Sequence, residues 1–156
     1  MQQVKACLLL NENTEEAVNF YVSLFDNSAI KRIQRYGPGM PVPEGQVLSI
    51  DFTISGQEFL ALNGPKTHFT DAISFMISCE MQEEIDRYYD GLAANGGEEI
   101  ACGWVKDRFG IVWQIIWGSM SKLLFGGDRE ATGRTFQAMM AMKKIDIEAL
   151  KKAFNG

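Results

Sequence analysis

Two stretches of the chain carry the same helical stripe 68 positions apart. Glu15, Glu16, Ala17, Phe20, Tyr21 and Leu24 fall in register with Glu83, Glu84, Ile85, Tyr88, Tyr89 and Leu92. Both sets place apolar side chains at i, i+3, i+4 and i+7, which lines one face of a helix. Before the first stripe runs the short apolar segment Val4 to Leu10, and after it come three β-like stretches, Ile30 to Tyr36, Val47 to Ile54 and Glu58 to Leu62. The second stripe has the same surroundings: Ile73 to Cys79 before a helix over Met81 to Ala94, then strands around Glu99 to Ala101, Trp104 to Arg108 and Ile111 to Trp117. The final strands match at a shift of 54, through Gly56/Gly110, Phe59/Trp113 and Gly64/Gly118. A duplicated βαβββ module explains both registers, with shorter loops in the second copy.

Turn chemistry punctuates each copy. Asn13 followed by Glu16 has the form of a capping pair, and Ser55-Gly56 predicts a tight hairpin. Asn95-Gly96-Gly97 supplies residues that tolerate the left-handed backbone at a helix end. Gly37 to Pro43 is a stiff loop that either covers a pocket or merely connects. Beyond Trp117 the strand signal stops, and Ser119 to Gly156 predicts two or three helices, the last capped by Asp146 and bearing Ile147, Leu150 and Phe154 on one face. Met139, Met140 and Met142 read as adaptable packing.

A chain of 156 residues, 46% hydrophobic and 22% charged, folds around a proper core. Its formal charge of -5 argues against a partner whose phosphates must be neutralised, so nucleic acid is not expected. Apolar runs such as Ala6 to Leu10 are too short to span a bilayer, and no charged-then-apolar signal opens the sequence. The expectation is a soluble cytoplasmic protein without membrane contact. Cys7, Cys79 and Cys102 lack metal-type spacing and are read as reduced thiols.

Several short motifs occur in order along this frame: Glu15-Glu16-Ala17, Phe20-Tyr21 and Leu24-Phe25; Gly56-Gln57-Glu58-Phe59 and Ala61-Leu62-Asn63-Gly64; Ala72-Ile73-Ser74-Phe75; Cys102-Gly103-Trp104 with Asp107; and Gly110 with Trp113-Gln114. Over residues 4 to 118 they resemble the PhnB-like branch of the vicinal-oxygen-chelate (glyoxalase/bleomycin resistance/dioxygenase) superfamily, often labelled 3-demethylubiquinone-9 3-methyltransferase-like. The tail residues Gln137-Ala138-Met139 and Met142-Lys143-Lys144 also fit. The resemblance implies an α+β fold in which tandem βαβββ modules, about 1–64 and 72–118 of a domain spanning 1–118, form a curled, cup-shaped mixed sheet. The C-terminal helices 119–156 extend it. It also implies a homodimer and, in the superfamily's metalloenzymes, His and Glu ligands at strand ends holding a divalent metal that chelates substrate oxygens.

Such a metal needs three or four converging His or carboxylate ligands. The single histidine, His68, lies in the linker Pro65 to Thr70 and reads as a surface or loop-anchoring residue. The last-strand position of the ligand Glu is Gln114, with Leu60 as its first-module counterpart. The first-strand positions fall within Lys5 to Cys7 and Ala72 to Ser74, which offer neither His nor Glu. No cofactor is expected, and a divalent metal is disfavoured. Gln114 is either a structural amide or the group that orients a polar ligand. Cys102, beside Gly103 and near Lys106 and Arg108, is either a buried hydrophobe or a reactive thiol. Asp107 reads as a hairpin residue, and the paired glutamates 15–16, 83–84 and 98–99 as helix-start or strand-entrance charges.

The ligand-binding candidates are Gln114, Asn63, Ser74, Trp104, Cys102 and Tyr36; no catalytic residue is assigned. They predict a small-molecule-binding protein without the usual metal, its ligand flat or apolar to suit aromatic walls. The alternative is an enzyme, either a metal-dependent lyase, isomerase or dioxygenase, or a methyltransferase as the family label states. A Gly-rich helix start for a nucleotide cofactor is missing.

Overall fold

The computed structural model describes residues 4–156, so the first three positions of the first expected module lie outside the described residues. The chain divides into two compact units, one ending at His68 and the other spanning Phe69–Gly156.

In the first unit, β1 (Ala6–Leu9) leads through a single 3-10 turn, Asn11–Asn13, into α1 (Thr14–Leu24), followed by β2 (Ala29–Arg35), β3 (Val47–Ile54) and β4 (Gln57–Leu62). Parallel pairing of β1 with β4 and antiparallel pairing of β4 with β3 and β3 with β2 give the order β1-β4-β3-β2. Helix α1 packs on this sheet and buries Ala17, Val18 and Tyr21 with Ile50, Phe52, Phe59 and Ala61. At about 1.5–3 kcal/mol for each large apolar side chain taken from water, this layer is the unit's main source of stability. The hairpin between β3 and β4 closes on Ser55 and Gly56, both at positive φ (47° and 80°), the turn whose twist suits paired strands.

The expected Asn13 cap does not form, because the 3-10 turn brings the chain into the helix with Asn13 already bonded through its N–H to the Leu10 carbonyl. Thr14 does the tying instead. Its hydroxyl lies 3.2 Å from the Asn11 and Leu62 carbonyls and from Asn63 Oδ1.

The second unit repeats the topology. β5 (Phe75–Cys79), α2 (Gln82–Ala93), β6 (Glu98–Glu99), β7 (Trp104–Lys106) and β8 (Val112–Trp117) form a sheet of order β5-β8-β7-β6, with β5 parallel to β8. Phe59 sits opposite Ala6 in one sheet and its counterpart Trp113 opposite Phe75 in the other. Helix α2 packs on β5, β7 and β8, burying Ile85, Tyr89 and Leu92. Burial, then Glu99 and Asp90, pushes the Tyr89 phenol up to about 12, and its hydroxyl donates to the Ile100 carbonyl.

The curled, cup-shaped sheet is not formed. The strands pair in two separate open sheets of four, each with two free edges, and no ladder among the described residues joins them. Parallel pairing puts the opening strand of each module at one edge and the short or exposed β2 and β6 at the other.

The tail forms α3 (Met120–Phe125), α4 (Arg129–Ala141) and α5 (Ile147–Asn155). Asp146 caps α5 through the Ala149 N–H, and Arg134 donates to the Ala153 and Phe154 carbonyls at its far end. Ile145 and Leu150 are fully buried. Gln82 binds the segment on both sides, donating to the Ile145 carbonyl and accepting from the Ile147 N–H, each at 2.9 Å. Lys144 pairs with Asp86 and Asp90 of α2.

Candidate functional site

A residue directly across a sheet ladder projects to the same face as its partner. Gln114 of β8 lies between Met76 on β5 and Trp104 on β7, so these three share the face opposite α2. Ile116, two residues along β8, joins them. Met76 is 57% exposed, while Gln114 and Trp104 are half-buried. Gln114 Nε2 donates to Ser74 Oγ at 2.7 Å. That bond orients the amide, and its Oε1 has no protein partner among the described residues. The arrangement is an apolar surface, half aromatic and half thioether, with one fixed acceptor: it suits a flat molecule carrying an N–H or O–H.

β5 begins at Phe75, so the residue directly beside Gln114 is Met76, while Ser74, within the expected first-strand stretch, reaches the amide from just before the strand. Met76 and Ile116 escaped the sequence reading. Alternation could have found both, since Ser74 and Met76, like Gln114 and Ile116, are two residues apart.

Cys102 and Gly103 both have positive φ (60° and 82°), and their N–H groups donate to the Met142 and Lys143 carbonyls. A Cβ on Gly103 would stand 2.5 Å from the Ile115 carbonyl oxygen, so only glycine fits there. Cys102 Sγ lies 3.5 Å from Met140 Sδ. This turn positions Trp104 and ties the tail to β8. Asp107 is 3% exposed; its carboxylate accepts from the Phe109 and Ile111 N–H groups and from Trp113 Nε1.

Tyr36 and Asn63 belong to the first unit, where they line a hollow of about 270 Å³ together with Glu12, Val42, Gln46, Gly64 and Pro65. On that unit's sheet, the row matching Met76, Gln114 and Trp104 is Cys7, Leu60 and Asp51. Lys5 and Arg32 hold Asp51 at 2.7 and 2.9 Å and keep its carboxyl below the usual range.

Neither row fits a divalent metal. Around Gln114 stand a hydroxyl, a thioether and an indole; in the row with Leu60 the Asp51 carboxylate is engaged by two cations, and Glu58, two residues along β4, shares its hollow with Lys5, Lys31 and Arg32. Among the described residues no three His, Cys, Asp or Glu side chains gather where an ion could be held. His68 is exposed in its loop. No helix among them is long and apolar enough to cross a membrane.

A family model described as 3-demethylubiquinone-9 3-methyltransferase matches residues 2–116. Of solved structures, a PhnB protein from Bacillus cereus is similar at 36% identity and TM-score 0.67, over 74% of this chain and 99% of its own. A protein from Pseudomonas aeruginosa matches at 18% identity and TM-score 0.62, over 75% and 98%. The Listeria monocytogenes fosfomycin resistance protein FosX, solved with Mn(II) and sulfate, matches at 13% and TM-score 0.53, over 78% and 94%. At such identities the last two show a shared fold alone. No curated protein matches the chain.

Proposed function

The chain belongs to the 3-demethylubiquinone-9 3-methyltransferase family, within the PhnB-like branch of the vicinal-oxygen-chelate superfamily, and from that membership we propose that it binds a small, flat, hydrogen-bond-donating molecule on the open face of β5-β8-β7-β6 without using a divalent metal. The observation that carries this reading is the Gln114 amide, held by Ser74 so that its carbonyl is left to accept from a ligand. Trp104 and Met76 on either side supply the apolar area that such a ligand would cover. A polar group fixed in an apolar wall is the usual way a pocket sets ligand orientation.

The homodimer belongs to this reading as well: Ile73, 68% exposed just before β5, gives apolar area outside the ligand's row that a second copy would cover. Functionally we divide the chain into 1–118, which carries the ligand, and the helical extension 119–156, which lies beyond the family match over 2–116 and supports the Cys102–Gly103 turn. A cytoplasmic location and a small-molecule partner complete the proposal, with no role for nucleic acid, which the net charge of -5 disfavours.

The test uses 2-naphthol, a flat apolar compound with one O–H. Protein treated with a chelator and dialysed is titrated while the Trp104 indole N–H resonance is followed. Saturable shifts of Trp104 that survive chelation support the reading. Binding that disappears on chelation and returns with Mn(II) or Zn(II) would replace it with a metal-dependent site.

A further inference from the structure

We propose that the first unit carries a second site, independent of Gln114, that takes a small organic ammonium compound in the hollow between the Asn11–Asn13 turn and the loop after β2. Two adjoining hollows, of about 350 and 270 Å³, share Glu12, Gly64 and Pro65. The smaller adds Tyr36, Val42, Gln46 and Asn63; the larger adds Asn11, Asn13 and Lys66.

The walls are fixed before any ligand arrives. Tyr36 N–H donates to the Gln46 carbonyl and Gly45 N–H to the Tyr36 carbonyl, each at 2.9 Å, pinning the base of the loop that carries Val42. Across the hollow, Asn63 N–H donates to the Leu48 carbonyl and its Oδ1 accepts from Thr14, while Thr67 N–H donates to Asn11 Oδ1 at 2.8 Å. A preformed wall spares the ordering entropy that a loop would otherwise lose on binding.

The chemistry of the smaller hollow points to a cation. Glu12, solvent-exposed at its rim, is its one charged lining residue. Neighbouring Glu15 is already neutralised by Arg35 at 2.6 Å. Tyr36 brings an aromatic ring to the lining, Val42 and Pro65 apolar contact, and Asn63 and Gln46 amide groups. Lys66, at the larger hollow only, repels a cation and sets a limit on affinity.

Benzylamine is the probe, titrated at neutral pH while the side-chain amide resonances of Asn63 and Gln46 are followed. Saturable shifts are expected, with benzyl alcohol and benzoate each binding several-fold more weakly, the scale of one ion pair on an exposed carboxylate. Glu12→Gln reduces benzylamine binding several-fold, Tyr36→Leu also weakens it while Tyr36→Phe does not, and Lys66→Met strengthens it. Gln114→Leu leaves it unchanged. Equal binding of benzyl alcohol and benzylamine, or Glu12→Gln binding as wild type does, overturns the proposal. Loss of binding in Gln114→Leu would show that the amine uses the other face, which also overturns it.

Discussion

The indole Nε1 of Trp113 donates to Oδ2 of Asp107 at 2.8 Å, and both side chains are buried. The other carboxylate oxygen holds the Phe109 and Ile111 N–H groups, so a single acid closes the β7–β8 turn and satisfies the strand's largest side chain. Asp107→Ala leaves three donors without their acceptor and is expected to cost about 2–3 kcal/mol. Asp107→Asn recovers less than charge alone suggests, because either amide orientation sets an N–H₂ against a donor. Chemical denaturation of the two variants checks this; a loss under about 0.5 kcal/mol in Asp107→Ala would contradict it.

The three thiols differ in reach. Cys7 is exposed, Cys102 is half-exposed, and burial, followed by Glu84 and Glu80, pushes the Cys79 thiol up to about 12. Since the thiolate is the reacting form, Cys79 stays unmodified at neutral pH until the protein unfolds, while Cys7 labels first. Mass spectrometry of protein treated with a thiol reagent reads the order directly. Modification of Cys79 at the rate of Cys7 would contradict the fold around β5.

Asp51 makes stability depend on acid pH. The Lys5 bond first, and then the Arg32 bond, lowers its carboxyl below the ordinary value near 4. A carboxylate with a depressed folded value contributes stability above its unfolded value, and that contribution is lost as pH falls through the folded one. The difference between wild type and Asp51→Asn should therefore be about 1 kcal/mol at neutral pH and vanish as the pH drops well below 4. Denaturation at neutral pH and near pH 2 tests the trend; a gap that widened in acid would contradict it.

Methyl transfer from S-adenosylmethionine makes a separate, simple prediction. The turn after β1 is Asn11-Glu12-Asn13, not a glycine-rich loop that lets a backbone approach a nucleotide. S-adenosylmethionine is expected to leave the melting temperature unchanged, because only a ligand bound to the folded state raises it. A concentration-dependent rise would favour the methyltransferase reading.

What could be read from residues alone was local or periodic. The stripes of α1 and α2, the Ser55-Gly56 hairpin, the Asp146 cap and the Asp107 turn each depend on side chains within a few positions of one another, and each is present. Pairing between sheets is a different matter. Alternation says which face a strand buries but not which edges meet, so the cup was inferred from likeness, and two open sheets stand in its place. The Asn13 cap failed because a 3-10 turn is invisible to a capping pattern. Of the six candidate ligand residues, Gln114 and Trp104 meet through the β7–β8 register and Ser74 joins them by its hydrogen bond to the Gln114 amide. Tyr36 and Asn63 meet in the first unit's hollow through loop geometry that no periodicity records.

The central claim is that Gln114 orients a small molecule by accepting one hydrogen bond. The most direct measurement compares 2-naphthol with 2-methoxynaphthalene, which keeps the rings and lacks the donor, in wild type and Gln114→Leu, following the Trp104 indole resonance. One net hydrogen bond is about 1–1.5 kcal/mol, or about tenfold in affinity. Wild type should prefer 2-naphthol by about that factor, and Gln114→Leu should bind the two compounds equally while melting within a few degrees of wild type. An undiminished preference for 2-naphthol in Gln114→Leu would contradict the account.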